Sequence, residues 1–148
     1  MKIREATCDD LRRGLWDLAN VFRFKDDACV DDMPLEDQQV LYQKSMSPFA
    51  KVYAVENDEG QILATAKLLI EEKLHHCGHP VAHIEDLVVD PACRGKGVGT
   101  FLLDHLKEEA KKFGAYKLLL NARVGIHEFY LKNGFTIQGY EMGIRFID

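Results

Sequence analysis

The sequence predicts an α/β fold in which one mixed sheet carries helices, and three observations predict it. Residues 51–55, 61–70 and 83–89 are rich in aliphatic and β-branched side chains and read as strands. Residues 98–113 repeat their apolar side chains at helical spacing. Strand-like and helix-like segments alternate through the second half, which lays helices on a sheet. A chain of 148 residues, 47% of them hydrophobic, forms one domain spanning 1–148. Folding at this size buries about two-thirds of the exposed chain surface and leaves no room for a second core.

Residues 2–7 read as a short strand, followed by Cys8, Asp9 and Asp10, whose side chains cap a helix beginning near Leu11. Leu11, Leu15, Leu18, Ala19 and Phe22 recur at helical spacing along it. An acidic break at 26–32 leads to Pro34, a first-turn proline, and to a second short helix through Leu35, Val40, Leu41 and Tyr42. The strands 51–55 and 61–70 are joined by Asn57, Asp58, Glu59 and Gly60 as a hairpin. Strand 83–89 ends at Asp90-Pro91, where proline removes a ladder donor. Val98, Phe101, Leu102, His105, Leu106, Ala110 and Phe113 then share one helical face, and Lys107, Lys111 and Lys112 complement the C-terminal dipole before Gly114. A buried-type strand at 116–120, a short helix at 126–133 closed by Gly134, and an extended region at 135–147 broken at Gly139 complete the chain. It contains no repeat, linker or low-complexity tract.

A formal net charge of -5 argues against a general nucleic-acid or membrane-surface binder, because those use summed positive potential. An anionic ligand must therefore be held locally. The start, Met1-Lys2-Ile3-Arg4-Glu5, lacks the profile of a secretory signal, and no apolar run approaches the roughly 20 residues of a membrane span. Cys8, Cys29, Cys77 and Cys93 are scattered with no C-x-x-C pair and read as reduced thiols of a cytoplasmic protein. His75-His76-Cys77-Gly78-His79 fits no common closed zinc site and reads as a polar connection between strands, so no metal is expected. Cys93 is taken as structural.

Local anion binding has a candidate in Arg94-Gly95-Lys96-Gly97-Val98-Gly99, set between an apolar strand and an amphipathic helix. Backbone N–H groups of such a loop and the first helical turn converge on an anion, and glycines let it approach. A helix start serving chain geometry alone is the competing reading. A Walker loop needs G-x-x-x-x-G-K-[ST] and a dinucleotide fingerprint G-x-G-x-x-G, whereas Thr100 occupies the last position here. The pattern Arg/Gln-x-x-Gly-x-Gly/Ala resembles motif A of the GNAT superfamily of acyl-CoA N-acyltransferases, matched by Arg94, Gly97 and Gly99. Glu128-Phe129-Tyr130 with Asn133-Gly134-Phe135 resembles the FY-x-x-x-GF segment of the same superfamily. The resemblance implies the GNAT fold, a mostly antiparallel twisted sheet flanked by helices, with acetyl-CoA as cosubstrate. It implies that Arg94 and the amides of Gly95, Lys96, Gly97, Val98, Gly99 and Thr100 hold the pyrophosphate. Leu87, Val88 and Val89 would line the pantetheine arm, with Tyr130 and Lys132 also on the cofactor.

Acetyl transfer to an amine needs a neutral nucleophile, donors for the developing oxyanion and a proton for the departing thiolate. Tyr130 matches the superfamily's general acid, its alternative being a core aromatic. Glu85 and Asp86 interrupt an apolar strand, where acidic residues are rare without a partner or a role. Strict alternation would send one of them to solvent. A bulge, which the resemblance implies for this strand, brings both to the cleft and frees a main-chain N–H. Deprotonation of the amine would pass through water to Glu85.

Four further segments, Ile70-Glu71-Glu72-Lys73-Leu74-His75-His76, His83-Ile84-Glu85-Asp86, Ala115-Tyr116-Lys117 and Tyr140-Glu141-Met142-Gly143-Ile144-Arg145, resemble the glucosamine-6-phosphate N-acetyltransferase family. That family makes N-acetyl-D-glucosamine 6-phosphate on the way to UDP-N-acetylglucosamine. It is homodimeric with crossed C-terminal strands, which implies that Arg145 reaches the sugar phosphate in the other subunit. Lys73, His76, Tyr116, Lys117, Asn121, Glu85 and Asp86 would complete the sugar site. Asn121 stands where the family usually has a carboxylate, Ile126 where it has a polar residue, and Arg23 where it has a phosphate-binding threonine. Two alternatives follow: a GNAT enzyme for another amine, such as a protein N-terminus, polyamine or aminoglycoside, and a non-catalytic acyl-CoA-binding module.

Overall fold

A computed structural model describes residues 1–22, 33–144 and 146. The strands are β1 (Lys2–Glu5), β2 (Ala50–Glu56), β3 (Ile62–Glu71), β4 (Val81–Val89) and β5 (Lys117–Leu120). The helices are α1 (Leu15–Ala19), α2 (Leu35–Ser45), α3 (Val98–Lys112) and α4 (His127–Lys132), with short 3₁₀ turns between. The strands form one sheet in chain order, antiparallel from β1 to β4, while β5 lies parallel to β4. A parallel neighbour requires a crossover, and α3 is that crossover. The sheet is therefore mixed and mostly antiparallel, as expected. No helix among the described residues is long and apolar enough to cross a membrane.

Each face of the sheet buries a separate cluster. Leu102, Leu103, Leu106 and Ala110 of α3 pack on Tyr53, Leu68, Ile70, Ala82 and Ile84. Leu11, Leu15 and Leu18 pack on Ala54 and Val88 of the opposite face. The buried stripe of α3 includes Leu103 and leaves Phe101 and Phe113 exposed, a rotation from the expected face.

The first helix differs from expectation. Gly14, at φ 94°, divides it into a 3₁₀ turn (Cys8–Arg13) and α1. The cause is Asp10, whose carboxylate accepts from the Thr7 N–H at 2.8 Å and binds Arg4 through two bonds of 2.7 Å. Arg4 and Arg13 also reach Glu56 on β2, so the turn is fastened to the sheet before α1 begins. In α2, Val40 and Leu41 are exposed, whereas Leu35 and Tyr42 turn inward and the Tyr42 hydroxyl donates to Ala6 O at 2.7 Å. The acidic break at 26–32, together with Arg23 and Cys29, lies outside the described residues.

At the other end, residues 135–144 form no strand among the described residues. Ile137, Tyr140, Met142, Ile144 and Phe146 are exposed. A strand needs a partner to satisfy its backbone, and the described residues supply none here.

Candidate active site

The site is organised by an irregularity in β4. Thr65 pairs with Val88 and Lys67 with Glu85, so β4 carries one residue more than β3 over this stretch. The extra residue is accommodated at Asp86, whose φ is 52°. An added residue reverses which side chains face which side of a sheet. Ahead of it Ala82 and Ile84 lie under α3; beyond it Leu87 and Val89 do, and Val88 turns to the opposite cluster. Without the bulge Asp86 would be driven under α3. With it, Glu85 and Asp86 are both exposed.

A second feature opens β4 along its edge. The pairing of β5 with β4 runs from Val81↔Lys117 to Ile84↔Leu120 and stops. Residues 85–89 thus have strand partners on the β3 side only, and the amides on the other edge are available to a ligand.

This open edge leads to the glycine loop. Asp90 accepts from the Ala92 N–H at 2.8 Å, and Arg94 Nε donates to Val89 O at 3.2 Å, so the turn is folded back on the strand end. Gly97 precedes α3 at φ 83° and makes no side-chain cap. The first helical bond runs from Phe101 N to Gly97 O at 3.0 Å, which leaves earlier amides of the turn without helical acceptors. Gly95 also has positive φ, and a Cβ at Gly95 or Gly97 would meet nothing within 4 Å. The loop is therefore an open cradle of N–H groups at a helix N-terminus, with Lys96 beside it, and its chemistry fits a diphosphate. Gly99 serves packing instead, since a Cβ there would lie 3.0 Å from Phe129 Cζ and 3.4 Å from Val89 Cγ2. Its small size lets α4 close against the start of α3.

Tyr130 follows from that contact. Its ring packs edge-on to Phe129 and Phe135, with centroids 5.1 and 5.9 Å away. Asn133 Nδ2 donates to Phe129 O at 2.8 Å, and Gly134, at φ 85°, turns Phe135 back over the tyrosine. The Tyr130 hydroxyl has no hydrogen-bond partner among the described residues, and burial raises its pKa. Lys132, at the end of α4, is exposed.

The remaining sugar-site residues lie elsewhere. Tyr116 stacks on His76 with centroids 4.1 Å apart, and Lys117 Nζ sits 5.3 Å from the centre of the same ring. Lys73 pairs with Glu71 at the end of β3. Lys117 is in register with Val81, so four residues of β4, about 13 Å at strand rise, separate this group from Glu85. Asn121 and Ile126 are exposed after β5. Arg145 lies outside the described residues.

One contact was not anticipated from sequence. His83 Nε2 is 2.9 Å from Glu71 Oε2. The signal that could have found half of it is the two-residue spacing of His83 and Glu85, which places them on one face of β4.

Residues 14–135 match the model of the Acetyltransferase (GNAT) family. The chain belongs to that family. Among its relatives, the probable glucosamine 6-phosphate N-acetyltransferase 2 of Oryza sativa subsp. japonica is 42% identical over 88 residues, 60% of this chain. The match spans only 53% of that relative's own length. The glucosamine 6-phosphate N-acetyltransferase of Candida albicans is 35% identical over 120 residues, covering 79% of this chain and 80% of the relative. The crystal structure of glucosamine-6-phosphate N-acetyltransferase from Arabidopsis thaliana superposes with a TM-score of 0.84 at 28% identity, covering 99% of this chain and 98% of that one. The GNAT fold expected from the glycine loop and the tyrosine segment is thereby shown.

Proposed function

We propose that this chain, as a single N-acetyltransferase domain over 1–148, transfers the acetyl group of acetyl-CoA to the amine of D-glucosamine 6-phosphate. The observation that carries the reading is the bulged, half-open β4, which presents two carboxylates and free amides in line with the diphosphate cradle. The names of the rice, Candida and Arabidopsis relatives supply the acceptor. The product, N-acetyl-D-glucosamine 6-phosphate, is a precursor of UDP-N-acetylglucosamine, and scattered unpaired cysteines suit a reducing cytoplasm.

When bound, acetyl-CoA supplies a thioester carbonyl as the electrophile. Amides of Gly95 to Thr100, with Arg94 and Lys96, hold its diphosphate, and Leu87 and Val89 flank the arm that follows the open edge. Lys132, at the end of α4, adds a cation toward the cofactor. A main-chain N–H freed by the bulge donates to the carbonyl oxygen as charge grows there. Glu85 takes the amine proton through a water, and Asp86 orients the amine or a sugar hydroxyl. Tyr130 donates its hydroxyl proton to the departing sulfur, and burial suits it by keeping the phenol protonated.

Lys73, His76, Tyr116, Lys117, Asn121 and Arg145 form the phosphate and sugar contacts of the proposal. The distance of Lys73, His76, Tyr116 and Lys117 along β4 from Glu85 is bridged by a second copy of the chain. Tyr140, Met142, Ile144 and Phe146 occur at every second position, and each is at least 80% exposed, which is the pattern of a segment that would present one apolar face on pairing as a strand. The homodimer supplies it by crossing the C-terminal segments.

Release of CoA thiol from acetyl-CoA, measured with D-glucosamine 6-phosphate and a panel of peptide amines, polyamines and aminoglycosides, tests the reading. Turnover with the sugar phosphate is expected. Turnover of another amine with none on the sugar phosphate overturns the acceptor.

A further inference from the structure

β4 turns a second titratable side chain to the face that carries Glu85. Ala82 and Ile84 lie under α3, so alternation sends His83 and Glu85 to the opposite face, ahead of the change of phase at Asp86. His83 Nε2 meets Glu71 Oε2 at 2.9 Å, and an ionised carboxylate can only accept. Nε2 therefore carries the hydrogen, and in the neutral ring Nδ1 is the acceptor. Glu71 is held in the charged form by Lys73 and then by His83, which lower its pKa. The His83 side chain is 25% exposed, so water reaches the ring. Among the described residues, the charged groups facing it are Glu71 and Lys73 at the end of β3, Lys67 opposite Glu85, and Glu85 itself. β5 presents Leu119 in register, α3 covers the other face, and α1, at the Val88 end, carries only the exposed Asp17.

We infer that His83, oriented by Glu71, is a positioning residue that passes the acceptor's proton onward from Glu85 to solvent. This rests on the reading of Glu85 as the base. The acceptor N–H bond breaks and its proton reaches the Glu85 carboxylate through water. It then moves through one water to His83 Nδ1, which restores the Glu85 anion. Residues two apart on a strand have Cα atoms about 7 Å apart, a separation that side chains and one water span. The imidazolium, paired with the Glu71 anion, gives the proton to solvent at the exposed edge. One proton moves, and no further reactant is consumed.

The test is the pH profile of kcat for His83→Gln and Glu71→Gln in the intact protein, with KM for acetyl-CoA measured alongside. For His83→Gln, kcat should fall about 10–100-fold near neutral pH with KM for acetyl-CoA unchanged. The deficit should shrink as pH rises and free amine accumulates, and added imidazole should restore part of the rate. Glu71→Gln should follow in the same direction by a smaller factor. Should His83→Gln fail to fold, Glu71→Gln, on a side chain 45% exposed, carries the pH test alone. Wild-type kcat in both variants overturns the inference, as does a loss equal at every pH that imidazole does not relieve, which is the mark of a structural role. If the wild type acetylates a different amine, the acceptor reading falls by itself and the profile is taken with that amine. If it acetylates none, both fall.

Discussion

Tyr130 and Asp10 show burial raising the pKa of two acidic side chains and prevailing at only one of them. Burial leaves Tyr130 protonated beyond the ordinary phenol range, because nothing nearby stabilises its anion. Tyr130→Phe should therefore lower kcat about 100-fold while leaving the dissociation constant of acetyl-CoA nearly unchanged. The wild-type alkaline limb assigned to this group should lie above about pH 10, the usual phenol value, and should vanish in the variant. An unchanged kcat at every pH removes Tyr130 from the acid role. Asp10 is fully buried too, but the Arg4 guanidinium overrides desolvation and brings its pKa down to about 2. A carboxyl depressed in the folded state stabilises the protein above its unfolded value and stops doing so as pH falls through the folded one. Stability measured by urea unfolding should accordingly drop between the ordinary value of 3.8 and about 2. Asp10→Ala should cost about 1–3 kcal/mol at neutral pH, since it removes charged hydrogen bonds of Arg4 and Arg13 that Glu56 only partly replaces, and should flatten that acid dependence.

At the scale of elements, β4 and α3 divide the work of the cradle. Positive φ at Gly97 starts α3 with its amides turned outward, and an alanine there meets no neighbour but must hold a left-handed backbone. Gly97→Ala should lower stability by about 1–2 kcal/mol and weaken acetyl-CoA binding at least tenfold by calorimetry, the second effect exceeding the first. Equal affinity would mean that the loop is only a helix start. Much of this was legible in the chain. Two acidic residues inside an apolar strand marked the site, the bulge itself being what the resemblance to the GNAT superfamily implied, and the segment from Phe129 to Phe135 carried the resemblance that pointed to the tyrosine. Other parts were not. The separation of β5 from β4 depends on where a register stops, which no local pattern encodes. His83 and Glu71 are partners across a hairpin, so neither predicts the other. The break at Gly14 was missed because helical spacing outweighed a glycine whose turn is set by the ion pairs of Asp10. Arg145, which carries the phosphate reading, falls outside the described residues.

For the whole molecule the exposed stripe of Tyr140, Met142, Ile144 and Phe146 is the feature that calls for a partner. Residues 140–146 alternate in sequence as a strand with one apolar face does, yet among the described residues the sheet ends at β5 on one side and β1 on the other. Burying Tyr140, Met142, Ile144 and Phe146 against another surface would stabilise the assembly by about 1.5–3 kcal/mol for each large side chain, before the cost of association. Monomeric protein would leave that stripe in water. A second copy answers this, because a crossed segment is buried and can carry its polar positions into the neighbouring cleft. Removal of residues from 137 onward should convert a dimer to a monomer in sedimentation velocity and abolish turnover of the sugar phosphate. Binding of acetyl-CoA should survive, since the cradle, the β4 edge and Tyr130 all precede the cut. Tyr140→Glu with Met142→Glu should produce the same pair of effects without shortening the chain. A wild type that sediments as a monomer at full activity would show that one copy builds the whole acceptor site.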